Sequence, residues 1–282
     1  MSETKDTIRE IEGRGYRANI LLSPRNKRIV IKEFKGEDVT RLADTLKDIG
    51  AEAGLTKIWF KHPRKKSRRF LEERFREEAV VKKFYPEDDA SLLSLFLVPE
   101  RGESDNQKEK QKLLDDVCAL KEKENYDLPP GYNFQIAGKE DILDLTGLFG
   151  QVFSTYPYPI YREEYIQKMM DEGVVYGVIN KGRETVAAAS AETVEELANA
   201  EMTDFATLPE YRGQGLAACI LRRLEEELKD RNYRCLYTIA RAGVYGINRI
   251  FGRAGYEYTG TLVKNCSIGG SLEDMNVWCK RI

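Results

Sequence analysis

The chain has 282 residues, a formal net charge of −2, and 41% hydrophobic against 33% charged residues. This is the make-up of a folded chain of one large or two modest domains with a real core, and it excludes a disordered or strongly basic protein. The near-neutral balance gives no global pull toward nucleic acid or an anionic membrane.

No apolar run approaches the roughly 18 residues a spanning helix needs. The opening MSETKDTIREIEGRGY is polar and lacks the apolar core of a secretory leader, so a cytoplasmic location is expected. The five cysteines (Cys118, Cys219, Cys235, Cys266 and Cys279) are odd in number and form no C-x-x-C, which reads as free thiols. His62 is the one histidine. A His-rich metal site is therefore excluded, and a histidine-based nucleophilic triad would have to use that residue. Chemistry is expected to rest on carboxylates, tyrosines and backbone amides, with no metal.

In chain order, residues 1–15 read as a tail. Segments 16–22 and 28–34 read as strands joined by the turn-forming Ser23-Pro24-Arg25-Asn26. In 36–49, Val39, Leu42, Leu46 and Ile49 recur at helical spacing. A strand follows at 55–61, then the basic run HPRKKSRR, a helix with Phe70, Leu71 and Phe75, and strands at 79–84 and 92–98. The basic run lacks aromatics for base stacking and is trailed by Glu72, Glu73, Glu77 and Glu78, so it reads as a solvated loop. Residues 99–131 form a charged linker helix with a thin apolar line of Leu113, Leu114, Val117 and Leu120, stopped by Pro129-Pro130-Gly131. The expected division is a tail (1–15), a smaller N-terminal α/β domain (16–98), the linker helix (99–131) and a second domain (132–282).

That second domain reads as a strand at 132–136, a helix at 141–153, the proline-stiffened loop STYPYPIY and a helix at 162–170. Strands at 174–180, 184–193 and 199–208 come next. A Gly-bearing loop at 209–215 opens a helix whose Ala217, Ile220, Leu221, Leu224 and Leu228 follow helical spacing. A strand at 234–240, a helix at 244–253 and strands at 255–264 and 275–281 complete it. Glycines just before a helix leave successive N–H groups pointing outward, a seat for an anion such as a pyrophosphate. Neither G-x-G-x-x-G nor G-x-x-x-x-G-K-[ST] is present.

Arg212-x-x-Gly215-x-Ala217 resembles the acetyl-CoA loop of the GNAT superfamily of N-acetyltransferases, [Arg/Gln]-x-x-Gly-x-[Gly/Ala]. The element order β-α-α-β-β-β-α-β-α-β-β is that of the superfamily. The resemblance implies an α/β (α+β) GNAT acyl-CoA N-acyltransferase fold with a mixed, centrally split sheet. It also implies acetyl-CoA as co-substrate, without a metal. Glu201, eleven residues before Arg212, takes the place of the general base, and the Phe205 backbone N–H that of the oxyanion donor. Asp204 is an alternative base or a ligand for a cationic substrate group. Phe205, Ala206, Thr207, Arg212, Gly213, Gln214, Gly215, Leu216 and Ala217 would bind the cofactor, with Asn248 as a further polar contact. A tyrosine acid is expected five residues before Tyr256. Phe251 stands there instead, and Tyr245 is the substitute candidate, with packing as its other reading.

AEMTDFATLPEYRGQGLA, STYPYPIY and ARAGVYGINRIFGRAGY together are similar to the β-lysine Nε-acetyltransferase family, which also carries an N-terminal extension. This implies acetylation of the terminal amine of β-lysine, giving the osmoprotective compatible solute Nε-acetyl-β-lysine. A substrate pocket would draw on Tyr156, Tyr158, Glu192, Asp204 and Arg241 or Arg162. The alternatives are another diamine, a protein lysine or N-terminus, or a non-catalytic CoA-sensing module. The partners expected are acetyl-CoA and a small amine, with no nucleic acid and no membrane; homodimer formation stays open. From 28 to 98 the strand–helix–strand–helix–strand–strand order repeats that of the second domain's last half. This reads either as a degenerate half-GNAT unit without its phosphate loop or as an unrelated α/β domain.

Overall fold

The computed structural model describes residues 5–123, 126–154, 156 and 158–282. The N-terminal half comprises β1 (Thr7–Gly13), β2 (Tyr16–Ser23), β3 (Arg28–Gly36), α1 (Val39–Ala53), β4 (Lys57–Pro63), α2 (Arg68–Glu72), β5 (Arg76–Tyr85) and β6 (Asp88–Phe96). After the connecting α3 (Gln107–Cys118) come β7 (Tyr132–Ile136), α4 (Ile142–Val152), α5 (Glu163–Asp171), β8 (Val175–Lys181), β9 (Glu184–Val194) and β10 (Asn199–Thr207). The chain ends with α6 (Leu216–Asp230), β11 (Cys235–Arg241), α7 (Tyr245–Arg253), β12 (Glu257–Ile268) and β13 (Ser271–Arg281).

One stretch departs from its expected form. Residues 7–13, read as tail, form β1, which pairs antiparallel with β2 along its whole length. It is an edge strand with mostly exposed side chains, Ile8 included, so no apolar alternation marks it in the sequence. The linker helix is confined to α3, where Leu114 and Val117 join the core of the C-terminal half. Of the STYPYPIY loop, Thr155 and Pro157 lie outside the described residues.

The strands form one 13-stranded mixed sheet in the order β1-β2-β3-β4-β6-β5-β12-β13-β11-β10-β9-β8-β7. Read from its outer end, the N-terminal half runs β1-β2-β3-β4-β6-β5. The C-terminal half runs β7-β8-β9-β10-β11-β13-β12 from its own outer end, the same order with β7 added outside it. Each half has one parallel pair, β3 with β4 and β10 with β11, joined by a helix. Within the N-terminal half, the stretch β3-β4-β6-β5 parallels β10-β11-β13-β12.

The halves join where Gly260 of β12 opposes Ala79 of β5. A Cβ at Gly260 would sit 2.1 Å from the Glu78 carbonyl oxygen, so only glycine allows this approach. Beside the seam, Lys57 Nζ donates to Glu78 Oε2 at 2.6 Å and to the Val263 carbonyl at 2.8 Å. Both side chains are fully enclosed, and burial pulls Lys57 down to about 8. Removing either partner of such a buried pair costs about 3–5 kcal/mol.

Helices cover the outer face of each half. Inside, Val30, Trp59 and Leu92 share a core with Tyr237, Met275 and Val277. The sheet therefore curls until its two inner faces meet. Four strands lie between β4 and β11 in sheet order, yet Lys61 Nζ reaches the Tyr237 hydroxyl at 2.5 Å.

Candidate active site

The parallel ladder of β10 and β11 holds only from Asn199↔Cys235 to Glu201↔Tyr237. Beyond that pair the strands splay apart, and Glu201 marks the vertex. A bulge sharpens the split. The β10–β9 register jumps from Thr203↔Ser190 to Ala206↔Ala188, leaving Asp204 and Phe205 out of the pairing. Bulges re-aim the residues they free, here Asp204 and Phe205. Asp204 sits there at φ 54, a left-handed conformation that Asp tolerates better than most residues.

Between the splayed strands lies a groove of about 890 Å³, within the range of small-molecule sites. Thr203, Phe205 and Thr207 of β10, Thr238, Ile239 and Ala240 of β11, and the loop 212–217 line it. Gly213 and Gly215 have φ 80 and 81, and a Cβ at either would meet nothing within 4 Å. The glycines thus set the turn, and the space before them is open. Arg212 Nε donates to the Thr207 carbonyl at 3.1 Å, pinning the loop to the end of β10. The 15-residue α6 starts at Leu216, so its free N–H groups face the groove.

Sequence reasoning missed the cations on this groove. Lys123, Arg249 and Arg253 line it with Arg241. Arg249 and Arg253 stand four residues apart on α7, one face of a helix, and that spacing was the available signal. Arg241 and Arg253 each keep a buried Nε without a hydrogen-bond partner among the described residues. Unsatisfied buried donors beside a helix N-terminus fit an anionic, phosphate-bearing ligand such as a coenzyme A ester.

Several candidates sit elsewhere. Asn248 is fully buried and does not line the groove. Its Nδ2 donates to the Arg241 and Val244 carbonyls, and its Oδ1 accepts from Asn276 Nδ2 and Trp278 Nε1. It braces α7 against β11 and β13, and the reading as a cofactor contact is corrected. Ala206 turns its methyl into the core. Tyr245 is 44% exposed at the start of α7, outside the groove lining. Phe251 packs edge-on against Phe205 and Tyr256 in the core.

Asp204 lines the groove and is tied into the bulge. Its Oδ1 accepts from the Tyr156 hydroxyl at 2.5 Å and its Oδ2 from Ser190 Oγ at 2.6 Å. Burial pushes its carboxyl above the ordinary range despite those two bonds. Each oxygen thus accepts one hydroxyl, and the carboxyl props the bulge. Tyr156 lines the groove but is tied to Asp204 by the same bond. Tyr158 stacks on Tyr165 outside the groove. Arg241 pairs with Glu273 at 3.3 Å.

Glu201 and Glu192 are Cα partners on β10 and β9. Burial first, then the negative charge of Glu201 and Asp204, pushes Glu192 up to about 8. Across from them stand Lys32 and Lys61 of the N-terminal half, which pull the other way. Lys61 Nζ is 3.4 Å from Glu201 Oε2. Burial pulls Lys32 below its usual value, while the two glutamates hold it up. No local motif announces these lysines, because β3 and β4 are more than a hundred residues from β10.

Among the described residues, the corresponding end of the N-terminal half's parallel pair is packed with side chains. Its β3–β4 ladder also stops after three pairs, but Phe34, Phe60, His62, Phe70 and Phe75 form a contiguous ring cluster there. Burial among them drops His62 to about 4. Only Glu37 and Asp38 separate β3 from α1, and Asp38 Oδ1 accepts from the Arg41 N–H at 3.0 Å, so a carboxylate caps that helix start. The arginines of the basic run beside it are ion-paired, Arg64 with Glu77, Arg68 with Glu72 and Arg69 with Glu37.

Among the described residues, no cluster of three or more His, Cys, Asp or Glu side chains could hold a metal ion. No helix among them is long and apolar enough to cross a membrane.

A split parallel pair, a bulge at the split and a glycine-bearing anion loop opening a helix define an acyl-CoA-dependent N-acetyltransferase. The sequence pattern of the acetyltransferase (GNAT) family matches residues 141–255. Over 261 residues the chain is 36% identical to a β-lysine N(6)-acetyltransferase of Methanococcus maripaludis, covering 93% of this chain and 95% of that protein. It is 38% identical over 199 residues to the β-lysine N(6)-acetyltransferase of Methanosarcina mazei, with 71% and 73% covered. It is 30% identical over 275 residues to the N-acetyltransferase YodP of Bacillus subtilis, with 98% and 100% covered. The chain belongs to the GNAT acetyltransferases, in the family of these β-lysine N(6)-acetyltransferase relatives.

Proposed function

We propose that this enzyme transfers the acetyl group of acetyl-CoA to the terminal amine of β-lysine in the cytoplasm, yielding the compatible solute Nε-acetyl-β-lysine. One arrangement carries the reading: the carboxylates of Glu192 and Glu201 face the ammonium groups of Lys32 and Lys61 at the vertex of the split. A diamino acid bears two ammonium groups and a carboxylate, so it suits a site with both signs of charge. The names of two relatives agree. Acetylation removes one positive charge and leaves a zwitterion of zero net charge, as an accumulated solute requires.

The groove seats the thioester, with the anion loop on the pyrophosphate and the Thr207 backbone on the pantetheine. An alkyl ammonium has a pKa near ~10.4 and must lose its proton before attack. Glu201 accepts that proton. The amine lone pair then attacks the thioester carbon, the Phe205 N–H holds the oxyanion, and the C–S bond breaks. The nitrogen of the tetrahedral adduct gives up its second proton to the departing thiolate, directly or through water, so that the amide forms and coenzyme A leaves as the thiol.

Steady-state rates with β-lysine, α-lysine, spermidine and a lysine peptide test the substrate. A higher kcat/KM for the peptide overturns it. Glu201→Gln should lower kcat at neutral pH by about 10²-fold or more, with the KM for acetyl-CoA nearly unchanged.

A further inference from the structure

The N-terminal half repeats the catalytic topology with its own split filled by aromatic rings, yet it reaches into the other half's site. Lys61 on β4 donates from Nζ to the Tyr237 hydroxyl at 2.5 Å and to Glu201 Oε2 at 3.4 Å. The same Nζ lies 4.5 Å from the ring centre of Tyr237 and 5.5 Å from that of Phe84. Two rings therefore wall the ammonium in and leave Glu201 as its carboxylate partner. The contact joins residues 140 positions apart, so it exists only because the sheet curls.

The groups facing Glu201 come from every neighbouring element. They are Glu192 on β9, Asp204 on β10, Tyr237 on β11, Lys32 on β3, Lys61 on β4 and Tyr158 on the loop before α5. Tyr237 is held protonated, first by burial and then by Glu201.

We propose that Lys61 is a positioning residue for acetyl transfer: through it the N-terminal half pairs an ammonium with the Glu201 carboxylate and fixes it at the vertex of the split. The catalytic half is then incomplete without its degenerate twin. Glu201 takes one proton from the substrate ammonium before attack; as the C–N bond forms and the C–S bond breaks, the second amine proton goes to the departing thiolate. The proposal rests on the reading of Glu201 as general base.

The test is the pH profile of kcat/KM for β-lysine, at saturating acetyl-CoA, in full-length wild type, Lys61→Met, Lys61→Arg and Glu201→Gln. The midpoint of the acid limb does not depend on the fraction of enzyme folded, so partial misfolding does not mimic the effect. Lys61→Met should move that midpoint up and, on the acid limb, cut kcat/KM by up to about tenfold, with recovery as pH rises. Lys61→Arg should restore the wild-type limb. Should Lys61→Met be insoluble, Lys61→Gln carries the same expectation. A wild-type midpoint in the Lys61 variants, with Glu201→Gln inactive, overturns the positioning role and leaves the base reading standing. A Glu201→Gln enzyme with wild-type rate and limb overturns both.

Discussion

Glu192 stands directly opposite Glu201 across the β9–β10 ladder, and the two carboxyls share one half-buried site. Glu192 is pushed up to about 8, chiefly by burial and then by its two acidic neighbours. An unfolded glutamate titrates near ~4.3. Between those values the folded chain binds the extra proton, so this group makes stability fall as pH rises toward 8. Glu192→Gln removes the group that titrates. Its melting temperature should match wild type near pH 5 and exceed it above pH 8 by about 2–4 °C. Parallel melting curves from pH 5 to 9 would show that Glu192 carries no such burden.

At the bulge, Asp204 serves structure through its shape and its acceptors. Asn keeps both the hydrogen-bonding reach and the tolerance for φ 54. Asp204→Asn should therefore keep the fold and most of kcat. Asp204→Ala leaves the Tyr156 and Ser190 hydroxyls without their acceptor and strains the backbone. Its cost should be about 2–4 kcal/mol, read by thermal or denaturant unfolding. Loss of activity in a well-folded Asp204→Asn would return Asp204 to the role of base.

What could be read in advance follows the range of the interaction. The strands and helices of the catalytic half were legible because each buries one face, and apolar spacing reports that face locally. The anion loop was legible because positive φ at Gly213 and Gly215 demands glycine. β1 was not, since an edge strand with exposed faces carries no periodicity. Asn248 was misread because a polar residue in a helix next to the expected cofactor gives no hint of which way it points; Asn276 and Trp278, nearly thirty residues on, decide that. Lys61 was invisible for a stronger reason: its partner lies on a strand of the other half, brought near only by curvature of the whole sheet.

The correction at Asn248 has a measurable consequence. Truncation strips the acceptor from two buried donors, Asn276 Nδ2 and Trp278 Nε1, and the donor from two carbonyls. Asn248→Ala should cost about 2–4 kcal/mol of stability. The KM for acetyl-CoA should stay within about threefold of wild type at a temperature where the variant is folded, since the side chain does not line the groove. A normal melting temperature with a sharply raised KM would reinstate the cofactor contact.

The loop glycines allow stability and cofactor seating to be separated. At Gly213 and Gly215 a methyl group clashes with nothing, so substitution acts through backbone strain alone, about 1–2 kcal/mol per left-handed residue. Gly54, which ends α1 at φ 64 with equally open space, is a matched control far from the groove. Gly54→Ala, Gly213→Ala and Gly215→Ala should thus lower the melting temperature by similar, small amounts. Only the last two reorient N–H groups at the start of α6 and place a methyl in the anion seat, so only they should raise the KM for acetyl-CoA, by about tenfold or more. Equal KM values across all three variants would mean that the loop does not seat the pyrophosphate, and that the anion-binding end of the groove lies with Lys123, Arg249 and Arg253 instead.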